Sequence, residues 1–435
     1  MIQSLERYFE FDRLGTNWRT EVLAGATTFV TMAYIIFVNP SILHEAGMPF
    51  EAVLAATCLC ASFASILMGA FARYPIAMAP GMGLNAYFTY TVVKGMGVAW
   101  QTALGAVFIS GVAFFLLTLV GIRQLIVEAI PGELYAAVAS GIGLFIAMIG
   151  LRNAGIIVPS PATLVTLGNL RDPNTILACF GLLLITALLA RDVKGAMLIG
   201  ILVTTAAGAL FGLVKWNPGP YHLSGIAATA GKLDIRAASK LGGLEIVFVF
   251  LFVDLFDNVG TLVGVGKKAG LFDESNRIPR IRRILFADAT ATIAGSLAGT
   301  STVVSYIESA AGVVAGGRSG VTSIVTGVFF LIALFIAPVV GAVPASATAP
   351  ALIIVGSLMM SQIGEINWKD PAVAIPSFLT LIAIPLTFSI ANGLAFGFTA
   401  YALLRALRGE FRKTHWLVWI LAALFIVRFF YLGKS

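Results

Sequence analysis

Long uncharged runs of apolar residues recur along the chain, separated by short polar segments that hold most of its Lys, Arg, Asp and Glu. A bilayer core of roughly 30 Å takes about 20 apolar residues as a helix. Lipid-facing strands would instead alternate in polarity over ten-residue segments. Runs such as 104–120, 321–340 and 417–427 do not alternate, so they predict helices. Apolar windows place a first set of spans at 22–43, 51–72, 76–93, 99–121, 133–151, 174–190 and 194–213. A polar stretch, 214–243, follows. A second set lies at 244–266, 284–298, 300–316, 319–341, 345–361, 371–390 and 392–408. A last apolar piece, 415–432, carries Arg428 and three aromatics near its end, which favours the membrane interface over a crossing.

Composition narrows the class to one. Of 435 residues 59% are hydrophobic and 11% charged, with mean hydropathy +0.95. Soluble domains of this make-up would leave most of their Leu, Ile, Val and Phe facing water. Three cysteines cannot staple a secreted scaffold, and no long polar or heptad-patterned stretch suggests disorder, a coiled coil or a nucleic-acid partner. The first 21 residues are charged and lack an apolar stretch with a cleavage site, so they read as a cytoplasmic arm and not a cleaved signal. Lys and Arg crowd the segments on the arm's side, above all in the basic stretch 267–283, and are sparser on the other. That asymmetry sets the N-terminus in the cytoplasm of a bacterial-type plasma membrane. The net charge of +7 therefore reports topology.

Seven spans per half turn the second half over, so likeness between halves must be that of an inverted repeat. The organisation expected is an arm (1–21), a first seven-helix repeat (22–213), an extracytoplasmic loop (214–243), a second repeat (244–408) and a C-terminal basic segment with its apolar piece (409–435).

Among 21 acidic residues, those inside predicted spans and away from their ends are Asp254, Asp257, Asp288 and Glu308. A carboxylate at a helix centre costs at least about 2.5–3.5 kcal/mol, so each must face protein or a wet cavity. Helix–helix hydrogen bonds would be the plainer explanation, but Ser or Thr supply those more cheaply. Asp288, a turn from Arg283, also fits an interfacial ion pair. The spacing of Asp254 and Asp257 puts both on one helix face, about 5–6 Å apart at Cβ. Two carboxylates so close in low dielectric cannot comfortably both be ionised, which suits proton coupling. Phe250, one turn before Asp254, is a candidate for stacking on a flat ligand, although packing is the commoner role of such a ring.

The third span of each half is irregular. Residues 75–85 hold two prolines and two glycines, which argues for an extended piece leading into a half-helix near Gly83. Residues 299–308 are β-branched and hydroxyl-rich. Broken helices at matching places in two halves point to a transporter site. Asn85 stands in the first break and Glu308 in the second, and the offset between them carries Thr31 and Tyr34 onto Asp254 and Asp257.

These motifs carry a resemblance. AGATTFVTMAYI (24–35), Asn39-Pro40, APGMGLNAYF (79–88), FVDLFDNVGT (252–261), Gly299–Thr302 through Glu308-Ser309, and IPLTFSI (384–390) occur in order along nearly the whole chain. Together they resemble the nucleobase:cation symporters, specifically the AzgA-like permeases for adenine, guanine and hypoxanthine. The resemblance implies an all-α polytopic protein of about fourteen transmembrane helices in two inverted repeats, with short strands in spans 3 and 10. A core of spans 1–4 and 8–11 would work against a gate of spans 5–7 and 12–14. It also implies binding polar groups at Asn85, Asp254, Asp257 and Glu308. The expected function is purine import by proton symport, sodium being less expected, with Asp257 or Glu308 carrying the proton. The expected partners are a purine base, a proton and the lipid bilayer, and a homodimer is compatible with the architecture. No cofactor or metal is expected, since Cys58-Leu-Cys60 is too close for a zinc pair. A uracil or xanthine carrier is the nearest alternative. An anion carrier is disfavoured by buried carboxylates. A membrane prenyltransferase would need a second acid-rich motif that the chain does not contain.

Overall fold

The computed structural model describes residues 2–121, 129–214, 223–269, 278–336, 342–412 and 414–431. The centre of the basic stretch (270–277), part of the polar loop (215–222) and the end of the eleventh span (337–341) lie outside the described residues.

Each predicted span is found, and its bounds follow local chemistry. Span 1 is Trp18–Met32 plus Ile35–His44, opened by Asn17, whose side chain accepts the Thr20 N–H, and interrupted at Ala33 and Tyr34. Span 2 (Phe50–Leu67) widens into a π-helix, Met68–Ala72. Span 3 is strand β1 (Met78–Pro80), the half-helix Met82–Ala86 and a π-helical continuation, Tyr87–Gly95. Span 4 is Trp100–Val120, ended by Gly121 at φ 81°, a left-handed position that suits glycine. Span 5 (Gly132–Asn153) leads through a hairpin of β2 (Ile157–Ser160) and β3 (Leu164–Leu167) to span 6 (Pro173–Ala190) and span 7 (Ala196–Leu210).

In the second half, span 8 is Leu241–Ala269 and span 9 Ile281–Ala298. Span 10 is strand β4 (Val303–Ser305) followed by the short helix Ser309–Val314. Span 11 is Gly320–Ala333. Span 12 (Ala345–Met359) tightens into a 3₁₀ turn, Met360–Glu365. Span 13 is Pro371–Leu386 and span 14 Ile390–Leu407. Several described helices are by themselves long and apolar enough to cross a membrane, and the remainder are shorter or interrupted. The chain is a multi-pass membrane protein.

Packing sorts the spans into two groups. Spans 1, 2 and 11 pack on one another, spans 8 and 9 pack on span 4, span 9 packs on span 2 and span 10 on span 1. Separately, span 12 packs on spans 5, 6 and 7, and spans 5, 13 and 14 pack together. The contact of span 1 with span 11 has its counterpart in that of span 8 with span 4, and that of span 13 with span 5 in that of span 6 with span 12. This is the signature of an inverted repeat.

The two broken spans meet at their strands. β1 pairs antiparallel with β4 in the register Met78↔Ser305, Ala79↔Val304 and Pro80↔Val303. Extended backbone at membrane depth survives only if its polar groups find partners in the protein. They do: Gly81 N donates to Thr302 O (2.9 Å) and Tyr306 N to Ala77 O (3.0 Å). On the outer edge, the Ser65 hydroxyl accepts from Met78 N (3.0 Å) and donates to Met78 O (3.1 Å), and Ala77 N donates to Ser309 Oγ (3.0 Å).

One feature departs from expectation, and another adds to it. Glu21, assigned to the polar arm, is fully buried and caps span 11. Its carboxylate accepts from the N–H groups of Arg318, Ser319 and Thr322 and from the hydroxyls of Thr16 and Thr322. The C-terminal piece is a helix, Trp416–Tyr431, packed on span 14. Val418, Leu421, Ala422 and Phe425 form its buried stripe, and the Phe425 ring lies 5.8 Å from Phe398 and 5.5 Å from Phe248.

Candidate functional site

The break in span 1 points Tyr34 toward the junction of β1 and β4, and span 8 brings Asp257 to the same place. There the two groups of helices line a solvent-open cavity with about 70 Å³ of room for water-sized molecules. Its wall on the strand side includes Tyr34, Gly81, Gly83, Asp257, Ser305 and Glu308. The opposite wall is built by Ala139 of span 5 and by Val355, Met359 and Gln362 of span 12 and its 3₁₀ turn.

The geometry of the wall is tight. Tyr34 OH donates to Glu308 Oε1 at 2.7 Å, joining the first half to the second. Tyr306 OH donates to Pro80 O at 2.5 Å and so fixes the turn from β1 into the half-helix. A Cβ on Gly81 would lie 2.9 Å from Val304 Cγ2 and 3.5 Å from Asp257 Oδ2, so the backbone there runs close to the carboxylate. The first N–H groups of that half-helix have no partner within it, and Met82 and Gly83 line the cavity. The site thus offers two carboxylates as acceptors, with backbone donors at a helix start where the dipole favours electron-rich groups.

Of the residues singled out from the sequence, Asp257 and Glu308 line this cavity together. Asn85, Asp254 and Phe250 do not. Asp254 is fully buried one turn before Asp257. Phe250 is also buried and packs edge-on to Tyr87, with ring centroids 5.2 Å apart, and beside Phe88 at 6.4 Å, so it joins spans 8 and 3.

Asn85 belongs to a buried polar chain behind the strands. Its Nδ2 donates to Asn39 Oδ1 and its Oδ1 accepts from the Ser301 hydroxyl. Asn39 Nδ2 donates in turn to Thr57 Oγ1 (2.7 Å) and Thr300 Oγ1 (3.1 Å). This chain ties spans 1, 2 and 3 to the start of span 10. Asn39 and Thr261 appeared only within motifs, Tyr34 within one and as the offset partner of Asp257, and Ser305 and Tyr306 only as part of the hydroxyl-rich stretch. Gln362 carried no local signal at all, because nothing but tertiary packing brings it to the cavity.

Comparison with known proteins agrees with this architecture. The model of the Permease family, Xan_ur_permease, matches residues 19–396. The adenine permease AdeP of Escherichia coli (strain K12) is 44% identical over 424 residues, covering 98% of this chain and 95% of its own. The guanine/hypoxanthine permease PbuG of Bacillus subtilis (strain 168) is 46% identical over 443 residues, covering 98% of this chain and 100% of its own. Among solved structures, the transmembrane domain of the cyanobacterium bicarbonate transporter BicA superposes with a TM-score of 0.66 at 17% identity, covering 88% of this chain and 98% of that one, a likeness of fold. With the family model matched over most of its length and relatives of that identity end to end, this chain belongs to the Xan_ur_permease family of permeases.

Proposed function

We propose that the chain is a secondary active transporter that imports purine nucleobases across the plasma membrane by proton symport with alternating access. The observation that carries the reading is the pairing of Asp257 and Glu308 in one cavity, where the interrupted spans of the two halves meet. Relatives of similar length transport adenine, or guanine and hypoxanthine, by their names. A purine edge presents N–H donors beside ring-nitrogen or carbonyl acceptors. The carboxylates accept from the former, and the N–H groups near Gly83 donate to the latter. Asn85 and Asp254 support the site from behind the wall. Glu308, held by Tyr34, exchanges the coupled proton with Asp257 close by.

In this reading spans 1–4 and 8–11 form the body that carries the site, and spans 5–7 and 12–14 the body it moves against. The N-terminal arm faces the cytoplasm, in keeping with the distribution of Lys and Arg. An anion substrate is disfavoured, since two carboxylates in the cavity would repel it. The test is Glu308→Gln, assayed by uptake of radiolabelled hypoxanthine, guanine and adenine in a purine-transport-deficient host, with and without a protonophore. Uptake should collapse while the protein still reaches the membrane. Parental uptake with parental pH dependence would remove Glu308 from the mechanism.

A further inference from the structure

The two walls of the cavity differ in chemistry. The strand-side wall holds both carboxylates, and its phenol protons are already committed: Tyr34 to Glu308 and Tyr306 to Pro80 O. The opposite wall is formed by Ala139, Val355, Met359 and Gln362. Three of these four side chains offer no hydrogen bond. Gln362 is half-buried, makes no side-chain hydrogen bond among the described residues, and stands on the 3₁₀ turn Met360–Glu365 that extends span 12. Its amide offers both a donor and an acceptor from one position.

We propose that Gln362 is a specificity-determining residue, the contact through which the second group of helices reads the ring substituents of the bound base. The inference rests on the purine reading of the site. A base held by Asp257 and Glu308 through its N–H groups leaves its remaining edge toward the opposite wall. There a carbonyl, as in hypoxanthine and guanine, needs a donor, and an amino group, as in adenine, needs an acceptor. Gln362 satisfies either by turning its amide. Because it rides on the other packing group, it makes that contact only while the two groups are closed on the base. A poorly matched base is thereby disfavoured in the closed form more than in the open one.

The experiment is competition against radiolabelled hypoxanthine uptake by unlabelled hypoxanthine, guanine and adenine, in whole cells of a purine-transport-deficient host. It compares the parent chain with Gln362→Met and Gln362→Glu, each normalised to its amount in the membrane. Loss of one neutral hydrogen bond corresponds to about a three- to tenfold change in affinity. Gln362→Met should therefore raise the half-inhibiting concentrations of all three bases by about that factor and flatten the differences among them. Gln362→Glu keeps the shape but only accepts, so the balance should move toward adenine by about threefold or more. Gln362→Asn, which keeps the chemistry and shortens the reach, covers the case in which either variant fails to reach the membrane, and it should weaken all bases without reordering them. Competition profiles that superimpose on the parent's would overturn the role of Gln362 while leaving purine transport standing. A parent chain that takes up no purine would overturn both.

Discussion

Removing the Glu21 carboxylate is expected to loosen the junction of spans 1 and 11, by an amount that follows from its partners. The group is wholly buried and accepts from Ser319 N at 3.1 Å, Thr322 N at 3.2 Å and Thr322 Oγ1 at 2.6 Å, all on residues that are themselves buried. Glu21→Ala leaves these donors without an acceptor and without water to replace it. Each stranded buried donor costs about 1–3 kcal/mol. Partial relaxation and the rotation of the Thr322 hydroxyl bring the total to about 4 kcal/mol. Glu21→Gln keeps one acceptor oxygen but loses the charge at a helix N-terminus and turns an NH₂ toward N–H groups, for about 2 kcal/mol. With an unfolding entropy of about 2.1 cal/mol/K per residue, a chain this long gains or loses about 1 °C in Tm per kcal/mol. Thermal unfolding of the detergent-solubilised protein should fall by about 4 °C for Glu21→Ala and about 2 °C for Glu21→Gln. An alanine variant that melts with the parent, or a glutamine variant that melts below the alanine variant, would refute the capping argument.

Three other outcomes follow from the geometry. Gly81→Ala sets a methyl 2.9 Å from Val304 Cγ2 at the strand crossing, so uptake per molecule in the membrane should fall on the order of tenfold or more; parental uptake would mean that the strands have room to part. Phe250→Ala should cost about 3–5 kcal/mol of stability yet leave the order of preference among competing bases unchanged, whereas a reordered competition series would restore a stacking role. Glu10 is pushed up by partial burial, but the Arg13, Arg280 and Arg73 guanidiniums outweigh this and hold its carboxyl below the usual carboxylate range. A depressed carboxyl stabilises above its unfolded value and stops doing so as pH falls through its folded one. The arm should therefore stay docked at pH 5–8 and become protease-sensitive below about pH 4, and Glu10→Gln should expose it at neutral pH; an arm equally protected in that variant would contradict the ion cluster.

What could be read from the sequence was what local chemistry decides. Span positions follow from hydropathy, because hydrocarbon imposes one requirement on every stretch of about 20 residues. The extended piece in span 3 was legible because Pro75, Pro80, Gly81 and Gly83 disfavour a continuous helix, whereas the strand in span 10 was expected from the resemblance alone. Asp257 and Glu308 stood out through the cost of burying charge. Asn85 was equally conspicuous, yet its amide turns to Asn39 and Ser301 behind the strands. A polar residue at membrane depth announces only that it needs a partner, not whether that partner is ligand or protein. Glu21 was hidden by its charged neighbours, which made a buried cap look like part of a solvated leader. Gln362 was hidden because the end of a span is an ordinary place for glutamine, and only the facing wall gives it meaning.

The helix Trp416–Tyr431 alters the bookkeeping of sides. It lies along span 14 with Phe425 wedged among rings of spans 8 and 14. A helix that crosses there would add one traverse to the fourteen expected and bring Tyr431 out opposite the amino-terminal arm, whereas one lying in the interface would leave both ends on the same side. Paired fusions after that residue, one reporter maturing only in the cytosol and the other only outside it, tell the two apart by which of them lights.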